Sequence, residues 1–216
     1  MDCSDVWEKI KGLRKEEFAK KFSDHLPHDR LDVLFKFVRG NISHSDGRDI
    51  KAYVVKVSNP DFYKAISDKC FPNLVGYSYE YDPPKNGQNI IKHGIGFNDV
   101  VSYSSNFATL IVPIQEDVEA RLVILSDLVL KDYSLEMAPS SIKEMNYTIS
   151  IVTQREKYRF ISARLLSSRR KKYKETISHA IGKIIVDEQE RQDFINRCVE
   201  KLERDLIERS PQRGNL

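Results

Sequence analysis

The hydrophobic period changes twice along this chain, and that change restricts the fold more than any single motif. Through the first forty residues apolar side chains recur at helical spacing. Val6, Trp7, Ile10 and Leu13 form one stripe, Phe18, Phe22 and Leu26 a second, and Leu31, Leu34, Phe35 and Val38 a third. Asp5 and Glu8 have capping-box spacing, Gly12 offers a break, Pro27 stops the second run, Asp29 can cap the third, and Gly40 stands where a helix-ending glycine belongs. Two helices with clear punctuation are expected here.

From Asn41 the pattern turns to alternation. Strands are predicted at Ile50–Ser58, Leu74–Tyr81, Asn89–Phe97 and Ala108–Ile114, with a hairpin made of Tyr147–Val152 and Tyr158–Leu166. The prolines of Asp82–Gln88 exclude a central strand, so that stretch reads as a loop. Asn59 as cap and Pro60 at the first helical position open a short helix to about Cys70. Residues 116–132 fit two patterns. Val118, Leu122, Leu125 and Val129 have helical spacing, which favours helix over a buried strand at Leu122–Leu125.

After Leu166 the helical period returns. Tyr173, Ile177, Ile181 and Ile184 share a face; past the Asp187–Glu190 box, Ile195, Val199, Leu202 and Leu206 share another, widened by Phe194 and Cys198. The expected class is α+β: an N-terminal helical pair, a central mostly antiparallel sheet and C-terminal amphipathic helices. Residues 1–166 form the expected core domain. Residues 167–216 form a helical arm, either separate or integral to a single domain.

Composition narrows the setting. The chain has 216 residues, 40% apolar and 31% charged, so core size is not limiting and disorder is excluded. No window approaches the ~18 apolar residues of a membrane span. The first residues lack a basic stretch followed by an apolar one, so no signal peptide is expected. Cys3, Cys70 and Cys198 are odd in number and far apart, which argues against a disulfide framework and for a reducing, cytoplasmic location.

Charge is concentrated. Arg155–Lys174 holds nine Arg or Lys residues against Glu156 alone, a net +8 within a chain of formal charge +3, so the rest carries −5. Alternation turns Lys157, Arg159 and, with a small slip, Arg164 to solvent, while Tyr158, Phe160 and Ala163 face the other way. Ser167 or Ser168 would cap the next helix and place Arg169, Arg170, Lys171 and Lys172 in its first turn. Cations there oppose the helix dipole at a cost of about 0.3–1 kcal/mol each when exposed. Nearby carboxylates or a bound anion would offset that cost. Free N–H groups at the helix start and four cations make a phosphate cradle, with Tyr173 and Lys174 alongside. No base-reading module accompanies it, so binding without sequence preference is expected.

Other constellations are weaker. His25, His28 and His44 near Asp24, Asp29, Asp46 and Asp49 have the donors of an N/O metal site, but Pro27 separates the first two. They read better as helix-end and turn residues. Asp46, Asp49 and Lys51 have the types of an acidic–acidic–basic nuclease cluster, with Asp61 and Glu80 as further acids. Nucleotide-binding glycine motifs, the nucleophile elbow and the zinc-protease motif are absent.

The expectation is a non-enzymatic cytoplasmic protein that oligomerises and binds nucleic acid through Lys157, Arg159, Arg164, Arg169, Arg170, Lys171, Lys172, Tyr173 and Lys174. It needs no cofactor, metal or membrane, and the stripe of Ile195, Val199, Leu202 and Leu206 would pair two copies. A metal-dependent nuclease using Asp46, Asp49 and Lys51, or an assembly module with an acidic partner, are the alternatives.

Overall fold

The computed structural model describes residues 3–76, 78–104, 110–114, 121–127, 147–154, 156–166, 174–175, 177–179 and 187–209. The fold is α+β. Its N-terminal half is helical: α1 (Cys3–Lys11), α2 (Lys15–Phe22), α3 (His28–Val38), α4 (Gly47–Ser58) and α5 (Pro60–Cys70). The break at Gly12 separates α1 from α2, and the backbone N–H of Arg14 donates to the Glu17 carboxylate at the start of α2, 3.1 Å. Pro27, rather than Asp29, stands before α3, and Gly40 ends it with a φ of 77°. Asn59 caps α5 as expected, its Oδ1 accepting the Phe62 N–H at 3.3 Å with Pro60 at the first helical position.

Helix α4 overturns the strand expected at Ile50–Ser58. Its Ile50, Ala52, Tyr53, Val54 and Val55 are all buried, because α1, α2, α5 and a further helix surround it. The exposed residues of this helix are Arg48, Lys51 and Lys56, a narrow polar face, and its β-branched residues imitate alternation. Around α4 gather Phe18, Phe22, Leu34, Val6 and Ile10 from the first three helices, one continuous apolar core.

The sheet runs β1 (Leu74–Val75), β2 (Tyr79–Tyr81), β6 (Tyr158–Leu166), β5 (Tyr147–Gln154), β4 (Arg121–Asp127), β3 (Leu110–Ile114). All neighbours are antiparallel except β2 and β6. The β5–β6 hairpin and β3 match expectation, whereas the strand at Leu74–Tyr81 folds back on itself, the Gly76 N–H donating to the Tyr79 carbonyl at 2.7 Å. Residues 116–132 were expected to be helical, yet β4 is a strand. Val123, Ile124, Leu125 and Ser126 are buried in succession, the mark of a strand covered on both faces. On β6, Val152 faces Phe160 and Ile151 faces Ser162, so Ile161 is the extra residue of a bulge. That slip buries Phe160, Ala163 and Leu165 together and leaves Arg164 exposed.

The expected loop and strand across 82–97 are instead α6 (Pro83–His93), a turn at Gly94–Gly96 and α7 (Phe97–Ser102). Prolines at the first turn suit a helix start, and Gly94 closes α6 with a φ of 73°. The pattern misleads because α6 buries polar residues, Asn86 and Asn89, beside Ile90 and Ile91. Asn89 joins the two halves of the molecule. Its amide nitrogen donates to the carbonyls of Ala163 (2.7 Å) and Ile95 (2.8 Å), and its oxygen accepts the Ala163 N–H at 2.9 Å. β2 pairs with β6 only at Tyr158 and Arg159, so beyond them the Asn89 side chain supplies a one-residue extension of the ladder. The sheet-side core of Tyr81, Phe97 and Phe160 follows directly, with the Phe97 and Phe160 rings stacked at 5.1 Å.

At the start of α8 (Glu188–Arg209) Asp187 caps the helix, the Glu190 N–H donating to Asp187 Oδ1 at 2.8 Å. Ile195, Cys198 and Val199 are only 2–4% exposed within the single chain. This half of the stripe is therefore covered by its own chain and is not presented to a second copy. The side chains of Leu202 and Leu206 lie outside the described residues. Among the described residues no helix is long and apolar enough to cross a membrane.

Helix α6 reaches α4 through Gly87. A Cβ there would stand 2.1 Å from the Asp49 carbonyl oxygen, a backbone atom that cannot move aside. Gly87→Ala is expected to lower stability by about 3 kcal/mol, despite the better helix propensity of alanine. Urea unfolding measures it; an unchanged or raised midpoint contradicts the close packing of these helices.

Candidate functional site

Two basic regions and one acidic network are candidates for function. In the basic segment, the strand β6 carries Arg159 and Arg164, and Lys157 sits in the turn before it. Lys157 Nζ donates to the Gly76 carbonyl at 2.8 Å, and Arg159 lies 3.5 Å from Glu80. These two side chains tie the β1–β2 edge to β6, a role that sequence alone did not indicate. Arg164 is exposed, and Lys174 Nζ donates to Asn196 Oδ1 on α8 at 3.3 Å. Arg155, Arg169, Arg170, Lys171, Lys172 and Tyr173, with the expected helix start at Ser167 or Ser168, lie outside the described residues.

A second basic region was not anticipated. A groove of about 480 Å³ opens between α1, the end of α3 and the start of α4. Lys11, Arg39, Arg48 and Lys51 line it together with Trp7, Phe37, Ser43, His44 and Ser45, and no described carboxylate does. Neutral groups hold three of the cations. Arg39 donates to the Leu13 carbonyl at 2.9 Å and lies over the Phe35 ring, Arg48 donates to the Cys70 carbonyl at 2.9 Å, and Lys51 Nζ lies 5.3 Å from the Trp7 ring centroid. Only Lys11 has a carboxylate, Glu8, at 3.5 Å on an exposed flank. The four cations come from positions forty residues apart, and no local spacing signals their meeting.

Behind the groove wall the acids converge. Asn86 Nδ2 donates to Asp49 Oδ2 at 2.7 Å and to Asp46 Oδ2 at 3.2 Å, while its oxygen accepts the Phe97 N–H at 2.7 Å. Asp99 accepts the Gly96 N–H at 2.8 Å. His44 Nδ1 accepts the Asp46 N–H at 3.0 Å, which leaves Nε2 as the protonated nitrogen, 3.9 Å from Asp99. Burial holds the His44 pKa below the ordinary histidine value, against the charge of Asp46. Gly96 is required here, since a Cβ would lie 2.8 Å from the Asp46 carboxylate and 2.9 Å from that of Asp99.

This network answers the catalytic and metal alternatives in part. Asp46 and Asp49 do converge, but an amide occupies the space between them, and Lys51 Nζ turns to Trp7. Glu80 is taken by Arg159, and Asp61 is exposed on α5. His25 and His28 are exposed helix-end residues that do not join His44. Among the described residues no three His, Cys, Asp or Glu side chains are set to hold a metal ion. The arrangement fixes the turn before α4 against the turn before α7, and sequence could have offered only the buried Asn86 as its signal.

Burial pushes the Asp49 carboxyl from 3.8 up to about 6, with Asp46 and Asp82 adding to it and Asn86 and Arg48 opposing. A carboxyl raised on folding binds its proton more tightly in the native state. Its contribution to stability is therefore intact below pH 4 and is lost as pH rises from about 4 to about 6, by at most roughly 3 kcal/mol. Asp49→Asn is expected to remove that loss, so the stability difference between variant and wild type grows in the variant's favour from pH 4 to pH 7. Parallel urea midpoints for both proteins across this range would contradict the buried charge.

Comparison of the chain with protein-family models, curated proteins and solved structures finds no match, so the geometry alone carries the functional reading.

Proposed function

We propose that this protein binds nucleic acid without acting chemically on it, through the segment from Arg155 to Lys174, in the cytoplasm. The observation that carries the reading is the lack of neutralisation. Of the segment's described cations, Arg159 alone has a carboxylate partner; Lys157 and Lys174 meet uncharged oxygens and Arg164 is exposed. A solvated basic face compensated by the chain's own surplus acids would place carboxylates against these groups. At the end of the segment, Lys174 lies beside α8. Lys157 and Arg159 serve this reading as supports of the strand, and Arg164, Arg169, Arg170, Lys171 and Lys172 as phosphate contacts, with Tyr173 alongside.

Binding of this kind does not need a second copy. A homodimer through the α8 stripe would have to use it beyond Val199, because Ile195 and Val199 are covered within the chain.

Changing Arg169, Arg170, Lys171 and Lys172 together to Gln is expected to weaken binding to all sequences alike. The slope of log affinity against log salt should flatten by about 0.9 for each lost phosphate contact on duplex DNA. Titration of labelled DNA and RNA over a salt series measures this, and an unchanged slope contradicts the proposal.

A further inference from the structure

We infer that the groove between α1, α3 and α4 is a second, separate binding site, for a small phosphate ester that carries a flat ring, a nucleotide. Its residues are distinct from those of the basic segment, so it stands or falls independently of the nucleic-acid reading.

Charge comes first. Lys11, Arg39, Arg48 and Lys51 face one concavity whose described wall holds no carboxylate. Cations gathered around a concave, partly apolar surface reinforce one another's field and repel one another unless an anion enters. The carboxylates of Asp46, Asp49 and Asp99 lie behind the wall and are occupied by Asn86 and Gly96. They position the wall and do not fill the groove.

Orientation comes second. Carbonyl oxygens and aromatic rings hold Arg39, Arg48 and Lys51, and the charge of Arg48 is partly offset by Asp49. A site built this way has its donors arranged before the anion arrives, and the ligand does not have to displace a bound carboxylate from these three side chains. The remaining polar wall adds donors. Ser43 and Ser45, both exposed, bring hydroxyls. Gly47 and Arg48 are the first residues of α4, where the helix dipole also favours negative charge.

Size decides the ligand class. A volume of about 480 Å³ exceeds the needs of a lone phosphate and falls within the range of small-molecule sites. Trp7 and Ile42 add half-buried apolar surface suited to a ring, beside Lys51, whose Nζ lies 5.3 Å from the Trp7 ring centroid.

The test is calorimetric titration of the full chain with ADP, inorganic pyrophosphate and adenosine, and separately with a 5′-phosphorylated oligonucleotide and its unphosphorylated twin. ADP is expected to bind, pyrophosphate more weakly, and adenosine not at all. Ser45→Glu places a carboxylate in the wall at an exposed position and should weaken ADP binding about tenfold or more, as should Arg48→Gln with Lys51→Gln. The quadruple Gln variant of Arg169 to Lys172 should bind ADP as the wild type does. A preference for the phosphorylated oligonucleotide that Ser45→Glu abolishes would identify a strand end as the source of the nucleotide; equal binding of the twins would identify the free nucleotide. If the Arg48 and Lys51 variant fails to fold, Ser45→Glu carries the test, with circular dichroism confirming its fold. The inference is overturned by no ADP binding at millimolar concentration, by wild-type affinity in folded Ser45→Glu, or by loss of ADP binding in the quadruple variant.

Discussion

The contact between the Asn89 side chain and the backbone of Ala163 is the constraint on which the two halves of this protein depend. Beyond Arg159 no described strand pairs with β6 on the β2 side, and a buried N–H and C=O left open there would each cost about 1–3 kcal/mol. One amide satisfies both and also takes the Ile95 carbonyl, so the helix that carries it is fixed in height and rotation against the sheet. Two residues earlier, Gly87 lets the same helix close onto α4, and one further back Asn86 gathers Asp46, Asp49 and the Phe97 N–H. Helix α6 is thus short and polar for a buried element, and its polar residues are the joints.

This placement organises the charges as well. Asp46, Asp49 and Asp99 are held inward by α6 and the turn at Gly96, while Arg39, Arg48 and Lys51 are directed outward by carbonyls and rings. Acids and bases close in sequence are sorted to opposite sides of one loop. His44 stands in the partition, its Nδ1 facing the Asp46 backbone and its ring lining the groove. The arrangement explains why residues 44 to 51 resemble a catalytic cluster in sequence and yet form a structural network with a cationic outer surface.

Much of the outline was legible in the sequence. The breaks at Gly12, Pro27 and Gly40, the Asn59–Pro60 helix start, the β5–β6 hairpin with its slip near Arg164, and the Asp187 cap all follow from local chemistry that tertiary context does not override. The failures have a common cause, which is burial. Ile50–Ser58 keeps only a narrow exposed face at Lys51 and Lys56, and its run of β-branched residues imitates a strand; Val123–Ser126 is covered on both faces, so it lost the strand period. Helix α6 inverts the usual pattern by burying asparagines. The basic segment was visible as composition, but Lys157 and Arg159 act as ties to β1 and β2, which only the fold reveals. The groove was not legible at all, because its cations come from three separate helices.

The central claim is that Asn89 replaces a strand at the open edge of β6, and amide exchange at Ala163 tests it most directly. The account predicts that in the native protein the Ala163 N–H exchanges as slowly as the paired amides inside the β5–β6 ladder, and opens only when the whole structure unfolds. Exchange at the rate of an exposed edge amide, with the neighbouring ladder still protected, would contradict it.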